Sequence, residues 1–498
     1  MSELASESSM LSEPASESST LTARRVVIIG CGMAGARLAE DLRRRDPAGE
    51  RVSITVLGEE RHPAYNRVLL SAVVGGSLTP DAVRLPEASG VDLRLGTSVT
   101  AIDRAARQVT LTDRSTVDYD VLVLATGSRS WVPPTEGLLT DDGALAPGVV
   151  TFRTLDDCER ILGRAGPGTP VAVLGGGLLG LEAARGLVGR GCLVTVVHPV
   201  GHLMERQLDP AGGRVLAKTL ESLGIEVRLG VLAARYLQGD GLKLDDGSLV
   251  PADLVVVSAG VKPETGLATA AGLAVDRGIL IDDSLRTNDP RVHAVGDCAQ
   301  HPGTVAGLVQ SAWEQAAVLA DLITGANPAA RYRGTPVVTR LKARDIDLAA
   351  LGDVHADVDC ADAEVLCLQD PARGRYAKLV IRDDRVAGAI VLGAPDAAAT
   401  ITQLFDRGVP APSDRLALLL GRSLPAGVSA AHSPADLPAA AVVCRCNTVS
   451  KGALVKAWRG GARGIAELAD ITRATTGCGS CRDAVRGIAD WLSAAEPT

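Results

Sequence analysis

Two stretches decide the architecture of this chain: VVIIGCGMAGARLAEDL at 26–42 and VAVLGGGLLGLEAARGL at 171–187. They begin 145 residues apart and share one pattern, an apolar strand, a glycine turn and an amphipathic helix. The glycines are Gly30, Gly32 and Gly35 in the first copy and Gly175, Gly177 and Gly180 in the second, both spaced G-x-G-x-x-G. Each glycine answers a separate demand. One makes the tight turn, the second lets backbone approach a pyrophosphate, and the third lets helix and strand pack closely. The phosphates then meet unpaired N–H groups at the positive end of the helix.

A single such turn can be a ligand-free strand–helix junction. Two copies, each followed by a further strand (52–57 and 193–197), predict two dinucleotides held face to face, FAD and a nicotinamide. Glu59 stands at the end of the first of those strands, placed to accept hydrogen bonds from a ribose. His198 stands at the matching place in the second copy. A histidine there could favour a 2′-phosphate, so these residues leave NADH and NADPH both open.

Composition narrows the classes further. The chain has 498 residues, 46% of them hydrophobic, but only two Phe, four Trp and five Tyr, and a net charge of −8. So few aromatics and an acidic balance argue against nucleic-acid binding. No run of 18 apolar residues suggests a membrane span, and the N-terminus lacks the pattern of a secretory signal. Ten cysteines are too sparse for a disulfide framework in a chain this long, so a reducing cytoplasm is expected. Residues 1–22 hold a near-repeat, SELASESSM and SEPASESST, and read as a disordered tail.

Alternating strand and helix signals from Arg24 onward predict an α/β fold with parallel sheets. A helix beginning near Gly307 is expected to end before Pro328. A smaller mixed segment follows, with strands expected at 336–339, 348–351, 364–368, 376–382 and 386–392. The Pro-, Ala- and Ser-rich stretch 422–440 reads as a linker. Beyond it, Cys444 and Cys446 form C-x-C, and Cys478 and Cys481 form C-x-x-C. Four thiolates in two close pairs can hold a zinc ion or an iron–sulfur cluster. The other cysteines, Cys31, Cys158, Cys192, Cys298, Cys360 and Cys367, are isolated and are expected to be small buried thiols. No spaced pair in the dinucleotide units suggests a dithiol relay.

Further motifs carry a resemblance. The strand 121–124 runs into Ala125, Thr126 and Gly127, and 255–257 into Ser258, Ala259 and Gly260. These segments resemble the crossovers of glutathione-reductase-like flavoproteins with two Rossmann-like domains. EERHPAYNRVLLS (59–71), GGGLLGLEAA (175–184), LMERQLD (203–209) and TNDPRVHAVGDCA (287–299) resemble the NAD(P)H-dependent half of bacterial assimilatory nitrite reductase large subunits. They equally resemble the electron-transfer subunits that feed assimilatory nitrate reductases. The resemblance implies that Asp297 binds the FAD ribityl chain, that Arg67 lies near the flavin ring and that Glu182 lies beside the nicotinamide. VVCRCNTVSKGAL (442–454) and ATTGCGSC (474–481) are similar to bacterioferritin-associated-ferredoxin-like helical modules, which implies a [2Fe–2S] cluster on Cys444, Cys446, Cys478 and Cys481.

The expected organisation is an FAD-binding domain in two parts, 23–145 and 263–330, around an NAD(P)H-binding domain, 146–262. A small α+β domain follows at 331–421, then the linker and the cluster module at 441–498. Only 17 residues follow Cys481, where a nitrite reductase large subunit would continue into a sirohaem domain. Electrons are therefore expected to pass from NAD(P)H to FAD to the cluster and then to a separate protein. The foremost acceptor is the molybdenum-containing catalytic subunit of assimilatory nitrate reductase. The alternatives are a reductase for rubredoxin, ferredoxin or an oxygenase, and a redox-sensing interaction protein.

Overall fold

The computed structural model describes residues 23–421, 434–477, 479 and 481–496. The expected tail, residues 422–433 of the expected linker and Cys478 lie outside the described residues.

The first glycine turn joins the strand Arg24–Ile29 to the helix Met33–Arg45. That strand is an unbroken apolar run at its C-terminal end, as befits a strand covered on both faces. It pairs in parallel with Val52–Gly58 on one side and Val121–Leu124 on the other. Asp92–Leu95 and Val292–Ala294 complete a five-stranded sheet, also in parallel. The helix buries Leu38, Ala39 and Leu42, an i, i+1, i+4 set, against this sheet. Each leucine contributes roughly 1.5–3 kcal/mol by leaving water.

The second copy builds the same object. Ile225–Leu229, Leu193–His198, Pro170–Leu174, Leu254–Val257 and Val149–Thr151 form another five-stranded sheet, in that order, with every pairing parallel. In both copies a three-stranded antiparallel meander, at 99–118 and at 233–251, comes just before the strand that pairs with the second side of the glycine-turn strand, Val121–Leu124 in the first and Leu254–Val257 in the second. The helix Val309–Thr324 ends before Pro328, as the sequence predicts, with Gly325 at φ +73° closing it.

A third, wholly antiparallel sheet follows. Its strands are Val338–Leu341, Leu348–Gly352, Glu364–Asp370, Arg375–Arg382 and Arg385–Leu392, each overlapping a strand expected from sequence. The last unit is small: a hairpin of Val442–Cys444 and Val449–Ser450, then helices Lys451–Arg459, Ile465–Thr472 and Arg482–Ala495. Its core includes Leu454, Trp458, Val485 and Leu492 and is continuous with Ala312 and Trp313 of the helix Val309–Thr324.

The expectation of buried thiols holds for Cys158, Cys192 and Cys298 but not for the rest. Cys31 and Cys360 are half-buried, and Cys367 is exposed. Cys367 lies on Glu364–Asp370, an edge strand of the third sheet, which leaves that part of the strand uncovered. Cys31, Cys158, Cys192, Cys298, Cys360 and Cys367 take part in no disulfide.

His293 sits inside the first sheet, where burial pushes its pKa down from 6.5 to about 4. The native state therefore keeps this ring neutral while the unfolded chain protonates near its ordinary value. Stability is lost as pH falls through that window, by about 1.4 kcal/mol per unit and about 3 kcal/mol in all. Denaturant midpoints of the wild type and His293→Gln, compared from pH 7 down to pH 4, should diverge, with the wild type falling faster. Parallel curves would refute the assignment.

Candidate functional site

The C-terminal ends of the first sheet open on a cavity of about 860 Å³. Gly30, Gly32, Glu59, Arg67, Ala125, Thr126, Gly127, Glu182 and Asp297 all line it, so the structure gathers most of the sequence candidates at one place. Gly175, Gly177, Gly180, His198 and Gly260 are not among the lining residues and belong to the second unit, the three glycines to its turn, His198 to the end of the next strand and Gly260 to the crossover after Leu254–Val257.

The glycines divide by role. A Cβ on Gly35 would fall 1.9 Å from the Gly30 carbonyl oxygen, and one on Gly180 would fall 2.1 Å from that of Gly175. Those two positions hold helix against turn. A Cβ on Gly32 would meet nothing nearer than Arg67 Nε at 4.0 Å, and one on Gly177 would meet nothing within 4 Å. The backbone is thus bare at the N-terminal ends of both helices, which fits the approach of a pyrophosphate.

Asp297 is held in a short turn, Gly296–Cys298, whose Gly296 N–H donates to Gln315 at 2.8 Å. Its Oδ2 accepts from Ser128 Oγ at 3.0 Å and from Arg153 Nη2 at 2.7 Å. Arg153 was not legible in the sequence. It follows the strand Val149–Thr151 of the second sheet and reaches across to the first. Arg67 opens a short helical turn, pairs with Glu60, and donates from Nη1 to Tyr65 Oη at 2.9 Å and to the Arg153 carbonyl at 3.2 Å. Glu59 is exposed at the cavity rim.

Glu182 is buried on the helix Leu178–Val188. It accepts from Ser71 Oγ at 2.8 Å and from the Lys342 N–H at 3.0 Å, joining the first unit, the second and the loop after the first strand of the third sheet. Burial pushes its pKa up. His198 is equally enclosed. Its Nδ1 accepts from the Gly176 N–H at 3.1 Å, and its Nε2 faces Glu205 at 3.1 Å. An acceptor at Nδ1 leaves the proton on Nε2, and burial pushes the pKa down, so the ring is a neutral brace of the second turn.

The cysteine loops complete the site. Cys444, Cys446 and Cys481 are all buried, with Cys444 and Cys446 Sγ atoms 3.6 Å apart. Hydrogen bonds from Cys446 and Cys481 hold the Cys444 thiol well below its ordinary range. Two sulfurs at this spacing, with Cys481 bonded to one of them, suit a thiolate-ligated centre, although no group of three ligands closes on a single point among the described residues. Cys478 falls outside the described residues. Cys446 also lines the large cavity, which places the cysteine loop at the same space as Asp297 and Arg67. The module is pinned there. Asn66 Nδ2 donates to the Thr476 carbonyl at 2.8 Å, Arg473 pairs with Glu40, and Arg37 Nη1 donates to Asn447 Oδ1 at 2.8 Å.

Residues 24–316 match the model for pyridine nucleotide-disulphide oxidoreductases. Residues 337–409 match the rubredoxin NAD+ reductase C-terminal domain, and 442–491 the BFD-like [2Fe-2S] binding domain. The chain is 34% identical to the assimilatory nitrate reductase electron transfer subunit of Bacillus subtilis, over 95% of this chain and 60% of that one. It is also 34% identical to a nitrite reductase [NAD(P)H] of Bacillus subtilis, over 93% of this chain and 57% of that one. It therefore spans less than two thirds of the length of either relative. A crystal structure of the covalent putidaredoxin reductase–putidaredoxin complex superposes with a TM-score of 0.70 at 27% identity, covering 79% of this chain and 95% of that one.

The glycine geometry predicts two different failures. Gly32→Ala should fold normally and retain less than a tenth of the wild-type flavin per chain after gel filtration. Gly35→Ala should lower the thermal midpoint itself, because overpacking of about 1–3 kcal/mol strains the helix–turn contact. Equal flavin and equal melting for both variants would contradict the division of roles.

Proposed function

Because the chain belongs to the pyridine nucleotide-disulphide oxidoreductase family and carries a BFD-like [2Fe-2S] domain, we propose that it delivers electrons from NAD(P)H to a separate redox protein, foremost the catalytic subunit of an assimilatory nitrate reductase. The observation that carries this reading is that Cys446 lines the same cavity as Arg67 and Asp297. The flavin supplies two-electron exchange with nicotinamide and one-electron exchange with the cluster.

The chain's own residues supply binding and orientation. The bare backbone at Gly32 and the helix N-terminus behind it receive the FAD pyrophosphate, and the corresponding turn at Gly177 receives that of NAD(P)H. Glu59 accepts from the flavin-side ribose. Asp297, already oriented by Ser128 and Arg153, accepts hydrogen bonds from the ribityl chain. Arg67 places a cation beside the ring, with Glu60 and Tyr65 holding its direction. Ala125, Thr126, Gly127 and Gly260 form the crossovers that follow the strands Val121–Leu124 and Leu254–Val257 and would help to hold the two nucleotides. Glu182 shapes the nicotinamide side of the cavity wall by tying Ser71 and Lys342 in place. Cys444, Cys446, Cys478 and Cys481 ligate the iron.

A second reading is favoured by the match of residues 337–409 to the rubredoxin NAD+ reductase C-terminal domain: the acceptor is a rubredoxin or ferredoxin. Purified protein should show flavin and iron–sulfur absorbance that both bleach with anaerobic NADH. Cys446→Ser should keep at least half of the NAD(P)H-driven reduction of a flavin-level dye and lose essentially all reduction of the cognate nitrate reductase subunit. Dye reduction lost while partner reduction survives would reverse the proposed order. Rapid turnover with rubredoxin or ferredoxin and none with the nitrate reductase subunit would select the second reading.

A further inference from the structure

Asn447 follows the second cysteine of the C-x-C pair, and its amide faces two ways. Its Nδ2 lies 3.7 Å from Cys444 Sγ and 3.8 Å from Cys446 Sγ, while also donating to the Arg473 carbonyl at 2.6 Å and meeting Thr476 Oγ1 at 3.3 Å. Its Oδ1 accepts from Arg37 Nη1 at 2.8 Å. A guanidinium has donors only, so the amide oxygen must face Arg37 and the NH₂ must face the sulfurs.

Arg37 is not part of the cysteine module. It sits on Met33–Arg45, the helix whose N-terminus opens on the cavity. Its own position is fixed on two further sides. Nε donates to the buried Asp41 at 2.8 Å, and the guanidinium carbon lies 5.0 Å from the centre of the Trp313 ring. Trp313 in turn donates from Nε1 to the Met33 carbonyl at 3.0 Å.

We propose that Arg37 is a positioning residue that aims the Asn447 amide at the cluster thiolates, so that the dinucleotide-binding helix sets the reduction potential of the iron–sulfur centre. Hydrogen bonds to cluster sulfurs favour the reduced, more negative state and raise its potential. Asn447 supplies those bonds, and Arg37 keeps the amide from presenting its oxygen to the sulfurs. This rests on the reading of Cys444 and Cys446 as ligands.

The test is an anaerobic redox titration of the full chain, following the paramagnetic signal of the reduced cluster. Arg37→Met and Asn447→Ala should each lower the reduced-to-oxidised ratio at a given potential on the order of tenfold, about 59 mV for a one-electron couple. Arg37→Lys keeps a donor and should recover at least half of that shift. Glu40→Gln removes an ion pair across the same boundary without touching the amide, and should titrate as wild type. If Arg37→Met also titrates as wild type, or Glu40→Gln shifts as far as Arg37→Met, the proposal is overturned. If Asn447→Ala loses iron, Arg37→Met decides alone, since Arg37 makes no contact with sulfur in the arrangement described. A wild-type chain loaded with zinc and free of iron overturns the ligand reading and this inference together, an outcome distinct from an iron cluster indifferent to Arg37.

Discussion

Asp41 is a carboxylate with no solvent exposure, and four guanidinium groups converge on it. Arg37, Arg44 and Arg45 come from its own helix, and Arg473 comes from the loop that precedes the last two cysteines. A buried carboxylate stripped of partners would cost several kcal/mol; the arginines of its own helix meet that demand, and Arg473, 3.7 Å from Asp41 and paired with Glu40, adds a tie from the cysteine module. The same helix turns its N-terminus to the cavity and its apolar stripe to the first sheet. One element thus carries the nucleotide end, the sheet contact and the module contact at once. The juxtaposition of Cys446 with Asp297 and Arg67 follows from that shared support.

The second glycine turn is arranged differently around the same plan. Where the first unit leaves Glu59 exposed at the rim, the second folds His198 inward as a neutral brace between Gly176 and Glu205. Backbone demands are common to the two units because a strand–turn–helix junction leaves little choice. Side-chain demands are not, because the two turns open on different surroundings. The two units therefore agree at Gly35 and Gly180 and part company at the ends of their second strands.

Local periodicity explains which features were legible in the sequence. The apolar strands, the glycine turns, the end of the helix before Pro328 and the five strands of the third sheet are each encoded within about ten residues. The cysteine pairs were legible because chelation demands close spacing. Arg153 with Asp297, Arg37 with Asn447 and Glu40 with Arg473 were not, because each pair is brought together by tertiary packing. Arg37 and Asn447 are 410 residues apart. Nothing in the run around Arg153 marks it as a partner of an aspartate on another sheet. The burial expected for Cys367 failed for a related reason, since sequence does not reveal which strand will be an edge.

Glu182 carries a mechanical consequence. Its carboxylate binds a hydroxyl from one unit and an amide from another while rooted in a third piece of chain. A knot of this kind resists hinge rotation between the two nucleotide-handling halves. The stretch of cavity wall that Glu182 lines is accordingly braced from three pieces of chain at once, and loosening any one of them would slacken the other two.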